Sequence, residues 1–438
     1  MRRCFGLGRI GVVVASLAHR AWRRGPFAFR PGAPKNSGKE VSSLAHQHSV
    51  CYILLQQTRF GPHMANEKND SPRTVSKGFP QSRRDRAPLF AAVDLGTNNC
   101  RLLIAAPRGG SFKVVDSYSQ IVRLGEGLNE SGRISDQAMS RAVEALGKIA
   151  AKLKARNVRH VRCVATQACR QASNGADFIR SVKQRTQLDF KIIGAEEEAR
   201  LALIGCHDLI APESNFVCVL DIGGGSTEVS FVDSSAAQAA GLPGLLRKPP
   251  IKLWTSLPIG VVTLTEAFAH LDEADAIQGM RAMAKDYVAG WSGGLDVQKA
   301  FAHSQAHLIG TSGTITCLAG VHLGLARYRR DLVDGMWVDH QDMLEVIERL
   351  RAAGPVERKN FPTIGAERAG LMLAGCAIVE AVWQLAPDAR MRVADRGLRE
   401  GLLLSMMNHS KRRRRRRRRK PTDQSAKAEN KMQAANVG

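Results

Sequence analysis

Val219-Leu-Asp-Ile-Gly-Gly-Gly-Ser-Thr-Glu228 decides the fold, because Ala91-Ala-Val-Asp-Leu-Gly-Thr-Asn-Asn-Cys-Arg101 repeats its plan. Each stretch has an apolar strand, an aspartate, one apolar residue, a glycine, small hydroxyl or amide residues, and then a second apolar strand. Both read as hairpins closed by a tight turn, the first joining the apolar runs 89–93 and 102–106. A hairpin that occurs twice implies two similar domains facing each other across a cleft.

Working outward, Ser135 is placed to cap a helix that carries Met139, Ala142, Val143, Leu146, Ile149 and Leu153 on one face. Val161, Cys163 and Ala165 alternate as a strand, and 190–193 predicts another. A helix is expected from about 196 to 209, then the paired runs 216–222 and 229–232. Residues 307–320 read as strand, turn and helix, and the last third, 343–407, reads as mainly helical. Strands and helices alternating in this order predict an α/β architecture.

The turns carry the chemistry. Gly223-Gly224-Gly225-Ser226-Thr227 leaves consecutive N–H groups exposed, which makes an anion-binding concavity. Thr97, Asn98 and Asn99, after Gly96, supply the same from the other domain. Ser312-Gly313-Thr314 is a third candidate, at the end of an apolar strand. One such loop is an ordinary turn; three together point to phosphate. Asp94 and Asp221 end their strands at matching places. They either cap their turns or hold a hard divalent cation, Mg²⁺, that bridges to phosphate oxygens. Arg101 and Arg170 are candidate phosphate forks. Glu196, Glu197 and Glu198 open a helix, where acids complement the dipole. Their mutual repulsion raises the proton affinity of whichever is least solvated, and that carboxylate could accept a proton from an attacking water.

Charge is unevenly distributed over the 438 residues, whose formal net charge is +24. Residues 1–87 carry +12 and 410–438 carry +10, leaving +2 for the body between them. The basicity therefore belongs to two appendages and says little about the body's partners. Residues 1–87 read as a disordered extension, with Met64 as the expected true start. The tail 410–438, with its run Lys411–Lys420, reads as an unpacked low-complexity segment or a contact for polyanions such as polyphosphate or RNA. The 9 cysteines are scattered without a C-x-x-C pair, which predicts reduced thiols in a cytoplasmic protein. No stretch reaches the ~20 apolar residues of a membrane span.

With those motifs assembled, the chain from about 88 to 409 resembles the exopolyphosphatase / guanosine pentaphosphate phosphohydrolase family. The segments that carry the resemblance are 93–101, 123–128, 165–171, 196–200, 220–228, 310–314 and 395–401. The resemblance implies two actin-like (ribonuclease H-like) domains, 88–215 and 216–409, with the active site in the cleft between them. It implies stepwise hydrolysis of a terminal phosphoanhydride, most directly of inorganic polyphosphate, with guanosine pentaphosphate as the alternative substrate. By the same resemblance Glu198 matches the catalytic glutamate that orients water. Asp221 and Glu228 match the acids of the metal and water network, and Asp94 is their counterpart. Gly223, Gly224, Gly225, Ser226 and the 312–314 turn match phosphate loops, and Arg101 and Arg170 match basic residues facing the phosphate chain. Family analogy suggests a homodimer. The sequence departs from the family at Asn99, usually serine, and at Gly194-Ala195, usually Ser-Gly. Long members carry extra helical domains after the core, so this chain reads as a short, two-domain member. Two other functions stay open on the residues: an actin-like kinase, and a non-catalytic sensor of polyphosphate or alarmone nucleotides.

Overall fold

The computed structural model describes residues 87–303 and 305–418. The N-terminal extension with Met64, and the tail beyond 418, lie outside the described residues.

The duplicated hairpins are the centres of two sheets. In the first, β1 (Phe90–Leu95) pairs antiparallel with β2 (Asn99–Arg108), which pairs with β3 (Ser111–Ile121). On its other side β1 runs parallel to β4 (His160–Ala165), and β4 to β5 (Phe190–Ile192). The second sheet repeats this order with β6 (Phe216–Ile222), β7 (Thr227–Asp233), β8 (Ile251–Leu257), β9 (Ala306–Thr311) and β11 (Met391–Ala394). A short β10 (Trp337–Val338) is added at its edge. Two sheets of one topology give the α/β class and the paired halves that the actin-like expectation requires.

Both central strands are buried on two faces, as continuous apolar runs should be. Ala91, Val93 and Leu95 enter one core, while Phe90 and Ala92 enter another. Cys218, Leu220 and Ile222 enter a third core, and Val217 and Val219 a fourth. Helix α1 (Asp136–Ala155) covers the first sheet with Ala142, Leu146 and Ile149. Ser135 caps it as the sequence predicts, its Oγ accepting the Ala138 N–H at 3.2 Å. The seven described cysteines are buried and unpaired. Among the described residues no helix is long and apolar enough to cross a membrane.

Two helices join the halves. Helix α2 (Ala195–Cys206) puts Leu201 into the core of the first sheet, and Leu203, Ile204 and Cys206 into that of the second. After α3 (Ser312–His322) and α4 (Met372–Trp383), helix α5 (Leu398–Arg418) does the same. Its Leu402, Leu403 and Met407 pack on the first sheet and its Leu404 on the second. Helix α5 continues through Arg418, so the basic run begins as the extension of a packed helix. Arginine is a good helix former, and extension needs no new nucleus.

Beside the two-residue β10, three longer strands depart from the sequence reading. β3 and β8 are edge strands whose exposed positions mix Val114, Val115 and Trp254 with polar residues, so no clean apolar alternation marks them. β11 has four residues with arginine among them, and it interrupts the region read as helical.

Candidate active site

The hairpin turns meet at a cleft of about 570 Å³. They are built alike: Gly96 N–H donates to the Asn99 carbonyl, and Gly223 N–H to the Ser226 carbonyl, each at 2.9 Å. The register sets Asp94 opposite Arg101 and Asp221 opposite Glu228. β9 then places Thr311 beside Asp221, which brings the 312–314 turn to the same wall. Ser312 is held at φ 86°, a costly backbone for a residue with a side chain, and its Oγ donates to the Ile222 carbonyl at 2.6 Å. The turns also touch each other: a methyl group on Gly225 would overlap Gln167 Oε1 from the opposite half. That obstacle is the end of a flexible side chain, whereas a methyl group on Gly260 would overlap the Gly224 backbone, so close approach demands glycine at 260.

Of the three neighbouring glutamates, geometry separates one. Glu196 is exposed, Glu197 is paired with Arg200 at 2.6 Å, and Glu198 lines the cleft with its side chain 12% exposed. Arg170 holds it, donating to Glu198 Oε2 at 3.2 Å and to the Ile193 carbonyl at 2.8 Å. Arg170 therefore meets Glu198 rather than standing in the cleft wall as a free phosphate fork. Glu228 is 2% exposed and accepts Ser226 Oγ at 2.8 Å and Ser256 Oγ at 2.7 Å.

Most other residues expected at the site line the cleft: Asp94, Thr97, Asn98, Asn99, Arg101, Asp221, Gly223, Gly224, Gly225, Ser226, Ser312, Gly313 and Thr314. Thr227 does not. It is fully buried, and its Oγ1 donates to the Ile259 carbonyl at 2.7 Å, so its hydroxyl belongs to the core of its own half. Sequence reasoning leaves out Gln167, which accepts Thr97 Oγ1 at 3.0 Å. It also leaves out Tyr328, Arg368, Arg399 and Glu400 in the cleft wall. For the last two a signal existed, since segment 395–401 carries part of the family resemblance without a role attached.

The carboxylates hold their protons unusually tightly. Burial pushes Asp221 up to about 7, with Glu228 adding to it and Arg101 opposing. Glu198 is raised well above the ordinary carboxylate range, first by burial and then by Glu228. Burial also raises Glu228 and Asp94, the latter against the pull of Arg101 and Arg399. Such a cluster is short of positive charge. Among the described residues no three His, Cys, Asp or Glu side chains converge to hold an ion by themselves. Mg²⁺ needs only one or two carboxylates when water and phosphate oxygens complete its shell. The buried, unpartnered Asn98 Oδ1 and Asn99 Oδ1 add hard oxygen acceptors nearby, so the donor set fits a hard divalent cation.

A stability test follows from the sign of these shifts. Raised carboxylates keep protons in the folded state that the unfolded chain releases. Their contribution is therefore complete below about pH 4 and is lost as pH rises toward 7 and beyond. Without divalent cations, Tm should fall by about 4 °C between pH 5 and pH 8. Mg²⁺ should restore it at pH 8 and do little at pH 5, and Asp221→Asn should flatten both effects. A cation-free Tm that rises over that interval contradicts this account of the cluster.

Comparison with known proteins agrees with the geometry. The model of the Ppx/GppA phosphatase family matches residues 103–410. The guanosine-5'-triphosphate,3'-diphosphate pyrophosphatase of Aeromonas salmonicida is 29% identical over 335 residues, which is 74% of this chain; the chain spans 60% of that relative's length. The solved structure of the Aquifex aeolicus Ppx/GppA family member matches with a TM-score of 0.59 and 26% identity, over 74% of this chain and 98% of that one. An exopolyphosphatase from Cytophaga hutchinsonii matches in fold with a TM-score of 0.63 and 24% identity, over 73% and 98% of the two chains. Repeated hairpins, a shared cleft and a family match over most of the body lead to one conclusion: the chain belongs to the Ppx/GppA phosphatase family.

Proposed function

We propose that this chain hydrolyses the terminal phosphoanhydride of a phosphate chain, acting first of all as an exopolyphosphatase. The observation that carries the reading is Glu198, nearly buried and held by Arg170, aimed into a cleft walled by matching glycine turns. In this reading the N–H groups of 224–226 and 312–314 receive the oxygens of the terminal phosphoryl group. Donors fixed in advance stabilise charge as it develops. Glu198 accepts the proton of the attacking water, its raised proton affinity matching that task near neutral pH. Arg170 keeps the carboxylate oriented. One or two of Asp94, Asp221 and Glu228, with water and phosphate oxygens, would hold a divalent cation, which would neutralise charge on the transferring phosphate.

Guanosine pentaphosphate presents the same terminal anhydride. Two observations favour it as a second substrate: the name borne by the Aeromonas relative, and the composition of the cleft wall. Tyr328, 39% exposed, stands there with Leu371 and Met372, a surface that suits a purine base.

The test is orthophosphate release with Mg²⁺ from long-chain polyphosphate, tripolyphosphate and guanosine pentaphosphate. Release from polyphosphate supports the exopolyphosphatase. Release from the nucleotide alone moves the chain to alarmone hydrolysis. Binding of these anions with no release from any of them leaves a sensor and removes the catalytic reading.

A further inference from the structure

Besides the shared helices α2 and α5, one direct hydrogen bond joins the two halves. Among the described residues it alone runs from 88–193 to 212–394: the Gly127 N–H donates to Glu266 Oε1 at 3.0 Å. Gly127 belongs to segment 123–128, which carries part of the family resemblance without a role attached. Glu266 is half-buried on the helix Val261–Ala267.

Each end of this bond is tied to the phosphate turn of its own half. In the first half the Asn98 carbonyl accepts the Val122 and Arg123 N–H groups at 2.8 and 3.0 Å. The Thr97 carbonyl accepts the Gly125 N–H at 2.9 Å, and a methyl group on Gly125 would overlap the Thr97 methyl. Arg141 of α1 pins the same segment, donating to the Val122 carbonyl at 2.9 Å and to Glu126 Oε2 at 2.6 Å. In the second half the Val261 N–H donates to the Gly223 carbonyl at 3.0 Å, and the Val262 N–H to the Gly224 carbonyl at 2.8 Å.

The path between the turns is therefore short. Glu266 stands about one helical turn beyond Val262, and Gly127 follows Gly125 closely. A contact serving stability alone could bridge the halves anywhere. This one joins the two segments that hold the turns 96–99 and 223–226, where Thr97 and Asn98 already lie against Gly224. A carboxylate accepting a backbone N–H makes a charge-assisted bond, stronger than a neutral one.

We propose that Glu266 is a positioning residue: by clasping Gly127 across the halves, it sets the spacing of the two phosphate turns. This rests on the phosphoanhydride reading above and deepens it. Each turn keeps its own hydrogen bonds when the clasp is lost, so ground-state contacts survive while mutual placement does not. The essential property is an acceptor oxygen at the right distance, which an amide also supplies.

The test uses the full chain carrying Glu266→Ala or Glu266→Gln, assayed with tripolyphosphate at fixed Mg²⁺. Glu266→Ala should lower kcat by about 10- to 100-fold through misplacement and change KM by less than about threefold. Glu266→Gln should keep at least about a third of the parent kcat. Both variants should melt within about 3 °C of the parent, since one half-buried hydrogen bond is at stake. Without substrate, hydrogen exchange over 125–128 should quicken in the alanine variant and stay near the parent rate in the glutamine variant. An alanine variant with kcat within about threefold of the parent, or a loss that Glu266→Gln shares in full, overturns the positioning role. Unchanged exchange over 125–128 overturns the clasp itself. A parent chain that releases no phosphate, while exchange there still responds to Glu266→Ala, overturns the phosphoanhydride reading and with it the positioning role, but not the clasp.

Discussion

On the proposed reading, Glu198→Gln should lower the rate of orthophosphate release by about 10²–10⁴-fold and leave KM nearly unchanged. Glutamine keeps the shape and can still meet Arg170, but it cannot take a proton from water. The loss therefore falls on the chemical step and spares ground-state binding. The unaltered protein should also show kcat/KM rising with pH through neutrality. Its base must lose a proton that burial and Glu228 make it hold, beside an Asp221 pushed up to about 7. A variant within threefold of wild type, or a flat profile between pH 5 and pH 8, would remove Glu198 from the mechanism.

Gly401→Val should destabilise the protein by about 1–3 kcal/mol and lower kcat by about 10²-fold. Helices α2 and α5 cross with backbone against backbone. A methyl group on Gly401 would overlap the Leu201 carbonyl, and one on Gly205 would overlap the Gly397 carbonyl. Neither obstacle is a side chain that can swing aside. Because α2 carries Glu198 near its start and α5 carries Arg399 near its own, forcing the helices apart shifts both side chains in the cleft. Thermal melting and steady-state kinetics check the two effects separately. Wild-type kcat at a lowered Tm would show that the crossing supports the fold without setting the geometry of the site.

The central hairpins were legible because their pattern is local: apolar runs, a matched aspartate and a glycine turn, occurring twice. Ser135 was legible for the same reason, a cap acting on the helix that follows it. β3 and β8 were not, because their neighbours along the sheet, rather than their own periodicity, make them strands. At the site, Glu198 was separable from Glu196 and Glu197 by family resemblance, whereas burial and Arg170 separate them physically. Thr227 misled because a hydroxyl in a glycine turn looks like a phosphate ligand until the direction of its side chain is known. Arg399 and Gly401 were hidden for the opposite reason. What they meet lies about 200–300 residues away along the chain: Gly401 packs on the Leu201 backbone at the α2–α5 crossing, and Arg399 lines the cleft.

Running the orthophosphate-release assay with tripolyphosphate in ¹⁸O-labelled water tests the central claim most directly. Attack of water on the terminal phosphorus, with Glu198 taking the proton, places one labelled oxygen in each released orthophosphate and none in the pyrophosphate left behind. Label in the pyrophosphate, or phosphate passed to an acceptor without label, would contradict it.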